Sequence, residues 1–195
     1  MFATRIHGRG GQGVVTAAEL LSVAAFHDGR YAQAFPSFGS ERTGAPVISY
    51  ARIADRPIRV REPIHQPDAL IVQDSTLLHQ VNLFEGVGDE AYILINSTKE
   101  WDELGLDEFV SNRHSHRHIS VPASEFAMEH VGRPLPNAAL LGGFAAETHQ
   151  VSFESVEKAI AEHFSSRIAA GNIAAARAAY EFVADRRKAT GVSHA

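Results

Sequence analysis

Cysteine is absent from this chain of 195 residues. Without cysteine sulfur the chain cannot form a disulfide, carry a thiol nucleophile or ligate an iron–sulfur cluster through thiolates. Any electron transfer in which the protein takes part must therefore run through another polypeptide or another cofactor.

Three further features are missing from the sequence. No apolar run reaches the ~18–20 residues that span a bilayer, and the first residues lack the basic, apolar and small-residue regions of a signal peptide. We therefore expect a cytoplasmic protein without membrane contact. An excess of positive charge is missing as well, since 18 Lys and Arg oppose 23 Asp and Glu. This balance disfavours general nucleic-acid binding, which needs a basic surface.

What the sequence does contain is a series of apolar segments that predicts strands alternating with helices. The length fits one domain, 1–195, in which 150–195 form a helical C-terminal extension. The predicted strands are 4–7, 31–35, 46–53, 58–62, 69–72, 91–95 and 118–121. The predicted helices are 14–26, 138–149, 153–164 and 172–187. The segments 46–53 and 58–62 are interpreted as a β-hairpin. The predicted fold class is α/β, with a Rossmann-like, mainly parallel sheet, a β-hairpin insertion and C-terminal helices.

A glycine-rich loop lies between the first predicted strand and the first predicted helix. Gly8, Gly10 and Gly13 match the pattern G-x-G-x-x-G. Glycine permits positive φ and a close approach of phosphate to the backbone, and the N–H groups of a helix N-terminus attract anions. Arg9 offers a charge-assisted contact. The loop therefore predicts an anion site, although the same glycines also suit tight packing of a strand against a helix.

One part of the dinucleotide pattern is missing. An NAD site requires an acid at the end of the second strand, where it binds the ribose hydroxyl. Here that strand ends Ala34-Phe35-Pro36, and the first carboxylate beyond it is Glu41. We therefore expect a phosphate-bearing ligand other than NAD.

A second loop, 35–46, follows the second predicted strand. It contains four side chains suited to phosphate or amide recognition: Ser37, Ser40, Arg42 and Thr43. Ligands of open α/β sheets bind outside the carboxyl ends of the strands, so we expect this loop to lie beside the glycine-rich loop. A loop this long is often functional, and a solvated surface loop is the alternative.

These segments carry a resemblance to a known family. Residues 7–21 and 31–46 resemble the γ subunit of pyruvate and related 2-oxoacid:acceptor oxidoreductases. The segments Pro57–Pro63 and Pro67–Asp74 continue the likeness, as does Asn137 with Leu141-Gly142-Gly143. The resemblance covers about residues 4–150.

The resemblance implies a multisubunit enzyme. Such an enzyme decarboxylates a 2-oxoacid on thiamine diphosphate and passes two electrons through [4Fe–4S] clusters to ferredoxin or an NAD-linked flavoprotein. The acyl group leaves as a coenzyme A thioester. The resemblance places thiamine diphosphate, with Mg, and the clusters on α-, β- and δ-type partner subunits. It gives the γ-type chain no catalytic residue and no metal, and a role in holding coenzyme A.

The glycine-rich loop and the second loop supply the residues that we expect to contact coenzyme A. The pyrophosphate suits the helix N-terminus, and either phosphate group suits an arginine. Where relatives carry basic residues near coenzyme A, this chain has Glu41 followed by Arg42, so Arg42 is the predicted contact. The full predicted set is Gly8, Arg9, Gly10, Gly11, Gln12, Gly13, Ser40, Arg42, Thr43 and Gly44.

Other readings remain open on the residues alone. A stand-alone NAD(P)-dependent dehydrogenase and a non-catalytic nucleotide-binding regulatory module both accommodate a glycine-rich loop. His114, His116 and His118 alternate as a metal array would in a strand, but Arg113 and Arg117 beside them favour a polar surface stretch. Asp74 and Asn96, at predicted strand ends, are interpreted as caps or turn formers.

Overall fold

A computed structural model describes residues 1–37, 43–111, 113 and 117–190, and it contains one six-stranded sheet. The strand order is β2-β3-β1-β4-β5-β6. The strands are β1 (Phe2–Arg9), β2 (Tyr31–Pro36), β3 (Pro46–Ala54), β4 (Ala69–Val72), β5 (Tyr92–Asn96) and β6 (His118–Val121).

Four strands, β1, β4, β5 and β6, run parallel, and β3 runs antiparallel to both β1 and β2. The predicted α/β class with a mainly parallel sheet is confirmed. The hairpin is present, but it is formed by β2 and β3. The prediction that 58–62 pairs with 46–53 is wrong. Both edges of β3 are already occupied by β1 and β2, so 58–62 has no edge on which to form a ladder.

The helices are α1 (Val14–His27), α2 (Asp107–Val110), α3 (Ala123–Val131), α4 (Asn137–Thr148), α5 (Phe153–His163) and α6 (Ser166–Ala189), and a short 3-10 helix spans Ser75–His79. Apolar residues of α1, α3, α4, α5 and α6 form one core with Ile6 and Leu94 of the sheet. The neighbours Leu70 and Val72 point the other way, into a second cluster under irregular segments. The long helices therefore cover one face of the sheet.

Helix α4 is the central helix of this fold, since all twelve of its residues are buried. A Cβ placed on Gly142 would lie 1.9 Å from the carbonyl oxygen of Ala176 in α6. Glycine is therefore required for this helix–helix approach, which explains one half of the Gly142-Gly143 pair. Among the described residues, no helix has the length and apolarity needed to cross a bilayer.

Candidate functional site

The glycine-rich loop, residues 8–13, connects β1 to α1. β1 is longer than predicted, so Gly8 lies within it, opposite Val47 of β3. A Cβ on Gly8 would lie 2.6 Å from Val14 Cγ2. The first glycine of the pattern therefore allows tight packing of the strand against the helix.

Gly13 is the N-cap of α1 and adopts the left-handed conformation, with φ 72° and ψ 35°. A Cβ at this position would lie 2.5 Å from Nδ2 of Asn137, the first residue of α4. Both the backbone conformation and the close contact require glycine. The start of α4 therefore forms part of the support under the loop.

Gly11 has a different environment. Its φ is 95°, and no described atom lies within 4 Å of a Cβ built on it. The adjacent Gln12 turns inward: its Oε1 accepts from the Arg9 N–H at 2.8 Å, and its Nε2 donates to Asp74 Oδ2 at 2.8 Å. Gln12 thus fixes the loop from within, while the backbone at Gly11 stays open on one side.

Arg9 is held by the chain itself. Its Nε donates to Asp74 Oδ2 at 3.0 Å and its Nη1 to the Gly44 carbonyl at 3.0 Å. Its Nη2 donates to Thr76 Oγ1 and to Gln80 Oε1. Four hydrogen bonds thus engage a guanidinium that has five donors. Arg9 joins the glycine-rich loop to the second loop and to the 3-10 helix.

Asp74 anchors this network. Burial alone would raise its pKa, but hydrogen bonds from Thr76 and Gln12 and the charge of Arg9 together hold the pKa below its ordinary value. The carboxylate also accepts from the Thr76 N–H and so caps the 3-10 helix, as predicted. An ionised Asp74 at neutral pH keeps Arg9 in place.

The glycine-loop cleft is a cavity of about 420 Å³ beside this network. Its lining includes the loop glycines, Thr43 of the second loop and the first turn of α1, which is Val14, Val15 and Thr16. Among the described residues, no side chain caps α1, and its first turn contains no acid. The N–H groups of this first turn and the positive end of the helix dipole therefore face the cleft, and no acidic side chain of the described residues lines it.

The second loop does lie beside the glycine-rich loop over its described residues. The Gly10 N–H donates to the Ala45 carbonyl at 2.9 Å, and the Gly44 N–H donates to the Gly10 carbonyl at 3.0 Å. Thr43 forms a parallel bridge with Gly10. Ser40 and Arg42 lie outside the described residues.

The second strand, β2, is not a neighbour of β1, because β3 lies between them. The strand parallel and adjacent to β1 is β4, and the chain continues from it into Gln73 and Asp74. An acid does follow that strand, but Arg9, Gln12 and Thr76 engage it. The signal for this acid was the run Ala69–Val72 followed by a polar pair. The sequence does not show that β4 is the strand beside β1, because that depends on the order of the strands in the sheet.

Two buried polar residues lie under the glycine-rich loop. His7 is 5% exposed and Gln73 is 1% exposed. Burial, with a smaller contribution from the charge of Arg5, lowers the pKa of His7 to about 4. His7 is therefore neutral at physiological pH. The described residues contain no cluster of three metal-ligating side chains, and His114 and His116 lie outside them.

Comparison with known proteins places this architecture in a family. The family described as pyruvate ferredoxin/flavodoxin oxidoreductase matches residues 3–182. The pyruvate synthase subunit PorC of Methanosarcina barkeri is 49% identical over 156 residues, which are 80% of this chain and 82% of that protein.

The fold also occurs in solved structures. The pyruvate oxidoreductase subunit PORC of Thermotoga maritima has a TM-score of 0.78 at 33% identity, covering 92% of this chain and 95% of that one. The 2-oxoglutarate:ferredoxin oxidoreductase of Magnetococcus marinus, with 2-oxoglutarate, coenzyme A and succinyl-CoA bound, has a TM-score of 0.75 at 16% identity. That match covers 95% of this chain and 31% of the larger one, and shows the fold alone.

The chain belongs to the pyruvate ferredoxin/flavodoxin oxidoreductase family. Within that family it is a γ-type subunit of a pyruvate/2-oxoacid ferredoxin oxidoreductase, part of a multisubunit complex. The family predicted from the two loops is confirmed.

Proposed function

We propose that this subunit binds coenzyme A in the glycine-loop cleft and presents its thiol to an acyl intermediate on thiamine diphosphate. The assembled cytoplasmic enzyme oxidatively decarboxylates a 2-oxoacid, with pyruvate as the default substrate, to an acyl-CoA. Thiamine diphosphate, Mg and [4Fe–4S] clusters reside on α-, β- and δ-type partners. Ferredoxin or an NAD-linked flavoprotein accepts the electrons.

The observation that carries this proposal is the first turn of α1, which no side chain of the described residues caps. The N-terminus of a helix attracts an anion when it faces a cavity and has no side-chain cap and no acid in its first turn. The pyrophosphate of coenzyme A is such an anion. The open backbone at Gly11, with Gly10 and Gly13 beside it, allows phosphate oxygens to approach closely.

The roles of the two arginines differ in this proposal. Arg9 acts as an organiser of the loop, because hydrogen bonds to Asp74, Gly44, Thr76 and Gln80 engage it. Arg42, with Ser40, Thr43 and Gly44, supplies the second loop's contacts to a phosphate. The large Magnetococcus marinus enzyme that shares the fold has coenzyme A bound, which supports coenzyme A as the ligand.

The subunit contributes orientation and no reacting side chain. Holding a thiol in line with its target can lower the activation free energy by several kcal/mol, and by about 7–11 kcal/mol at the upper end. We therefore expect the isolated chain to be inactive and the assembled enzyme to require it.

Affinity purification of the chain from its native cell, with partners identified by mass spectrometry, tests the complex. Co-purification of a thiamine-binding subunit and a cysteine-rich, ferredoxin-like subunit is the expected result. A clean monomer or homodimer that binds NADH would favour a stand-alone dehydrogenase. A clean monomer that binds nucleotides without NADH oxidation would favour a regulatory module.

A further inference from the structure

Strand β2 lies at one end of the sheet, and in the described part of the chain no strand pairs with its outer edge. Its inner edge pairs with β3, and just beyond this ladder the Ser37 N–H donates to the Ile48 carbonyl at 2.9 Å. Because hydrogen-bonded positions alternate along an antiparallel strand, the N–H and C=O groups of Ala32 and Ala34 point outward. The outer edge of β2 therefore offers four backbone groups for pairing.

The side chains of β2 do not block such pairing. Edge strands commonly carry lysine, a bulge or a covering segment that prevents another strand from adding. Residues 31–36 contain no charged side chain, and the proline stands at the last position of the strand. A second strand can therefore pair with this edge without repulsion between like charges.

The unburied face of α1 adjoins this edge and is poor in charge. It consists of Val15, Thr16, Glu19, Ser22, Val23, Phe26 and His27. The side chain of Phe26 is 73% exposed, and that of Tyr31 at the start of β2 is 51% exposed. Helices at a protein surface normally turn a charged or polar face to water. This face of α1 is therefore suited to burial against protein.

The edge is complementary to a second copy of itself. In an antiparallel two-fold pairing centred on Gln33, Ala32 of each copy pairs with Ala34 of the other, which uses all four groups. Moving the centre by one residue places one alanine opposite Arg30 or Pro36, whose N–H is already bonded to a carbonyl or is absent. The centre on Gln33 also sets two uncharged carboxamides opposite each other, and these can hydrogen-bond.

The helices above the sheet also fit a two-fold axis at this edge. α1 packs on both β2 and β3, so its axis lies about halfway between them. With strands about 4.8 Å apart, each α1 axis would lie about 5 Å from the two-fold axis. The two helices would then be about 10 Å apart, which is a normal packing distance. Ser22 and Phe26 line a groove with Ala32, so these side chains would meet the second helix.

The β2 edge surface consists of residues 29–36 together with Glu19, Ser22, Val23 and Phe26 of α1. Charges at its rim are compensated within the chain, since Arg30 pairs with Asp55 and Glu162 pairs with His27. About twelve residues would bury roughly 400 Å² per copy, because interfaces of about 800 Å² per partner take about 20–30 residues. This area is too small for a permanent dimer and is typical of a weak, reversible one.

We propose that two copies of the chain associate through the β2 edge surface, which joins their six-stranded sheets into one continuous sheet with α1 packed on α1. For the isolated chain the dissociation constant is on the order of 10–100 µM. In the assembled oxidoreductase the same contact joins two complexes.

The absence of cysteine makes a cross-linking test direct, because one introduced cysteine is the only thiol of the chain. Opposite residues at a non-hydrogen-bonded antiparallel position have Cα atoms about 4.5 Å apart, within reach of a disulfide. Gln33→Cys should therefore give a disulfide-linked dimer when the full chain is mildly oxidised. Tyr31→Cys, on the same face of the same strand, is the matched control. Its opposite residue is Phe35, so the two introduced thiols lie about 14 Å apart.

We expect at least about tenfold more cross-linked dimer from Gln33→Cys than from Tyr31→Cys on a non-reducing gel. Sedimentation velocity of the unmodified chain should show monomer at about 1 µM and mostly dimer at about 500 µM. Phe26→Lys puts a charge into the helix contact and should stay monomeric at both concentrations. Met128→Lys is the control, because this 50% exposed side chain lies on α3 outside the β2 edge surface. It should dimerise as the unmodified chain does.

The proposal is overturned if the unmodified chain stays monomeric at about 500 µM, or if Gln33→Cys cross-links no more than Tyr31→Cys. It is also overturned if Gln33→Cys in the assembled oxidoreductase links to another subunit and not to its own copy. That result would assign the β2 edge to a strand of a partner subunit.

Discussion

The two ends of helix α4 are both buried but are built from different interactions. At the first end Asn137 packs against Gly13, and the fit depends on shape. At the second end Glu147 forms an ion pair with Arg187 beside a cavity, so the packing there depends on charge. One rigid helix thus supports the proposed anion site at one end and holds a pH-sensitive ion pair at the other.

The largest expected effect comes from the middle of α4. Gly142→Ala would place a methyl group 1.9 Å from the Ala176 carbonyl oxygen, so α4 and α6 must separate. We expect a loss of at least about 3 kcal/mol in the free energy of unfolding, measured with urea. Gly143→Ala is the control in the same helix, since its nearest contact is 3.4 Å away. Equal losses for both variants would contradict the packing argument.

The contribution of Glu147, at the second end of α4, to the free energy of unfolding should depend on pH. Burial raises the pKa of Glu147 to about 7, against the opposing charge of Arg187. A raised carboxyl pKa stabilises the fold below the unfolded pKa, and this stability is lost as pH rises through 7. Glu147→Gln removes that loss. Its free energy of unfolding, relative to the unmodified chain, should improve by roughly 2–3 kcal/mol between pH 5 and pH 8. A constant difference between those pH values would contradict the assignment.

Stability that depends on His7, under the glycine-rich loop, should change with pH in the opposite direction. The pKa of His7 is lowered to about 4, chiefly by burial. The neutral imidazole therefore contributes stability above the ordinary pKa of 6.5, and this stability is lost as pH falls through 4. His7→Gln should abolish a loss of roughly 3 kcal/mol between pH 6.5 and pH 4. Urea unfolding across this range measures it, and an unchanged acid-side slope would refute it.

The shape-dependent end can be tested with two glycines of the same conformation. Gly13 has φ 72° and Gly29 has φ 73°, but only Gly13 has a close contact, to Asn137. Gly29→Ala should cost about 1 kcal/mol of unfolding free energy from backbone strain alone. Gly13→Ala should cost about 2 kcal/mol or more, because the Asn137 side chain must also move. If Gly13→Ala with Asn137→Ala is no more stable than Gly13→Ala alone, the contact does not matter.

Much of the fold follows from local sequence patterns. The apolar runs 69–72 and 91–95 predict buried strands, which the structure has as Ala69–Val72 and Tyr92–Asn96, and the glycine-rich loop identifies the first strand–helix connection. The hairpin partner of β3 could not be predicted from these patterns, because segment 58–62 alternates as a strand would. Only competition for the edges of β3 decides against it.

The candidate site was predictable in part for a similar reason. The glycine pattern located the loop and the helix N-terminus, which are local. The residues that hold the loop, Asp74 and Asn137, lie at the ends of elements distant in sequence, so their contacts exist only once the sheet order is known. The Glu147–Arg187 pair likewise joins residues separated by forty positions.

The smallest expected effect on stability tests the coenzyme A proposal. Val15 lies in the first turn of α1 and lines the glycine-loop cleft. Val15→Asp places a carboxylate where a phosphate is proposed to bind. The unfolding free energy should change by less than about 0.5 kcal/mol, because an acid suits a helix N-terminus. Val15→Asn is the uncharged control of the same shape.

The most direct measurement is therefore the KM for coenzyme A of the assembled oxidoreductase carrying each variant. We expect Val15→Asp to raise this KM at least about tenfold over Val15→Asn, with the KM for the 2-oxoacid unchanged. An assembled Val15→Asp enzyme with the same KM for coenzyme A as the Val15→Asn enzyme would contradict coenzyme A binding at this cleft.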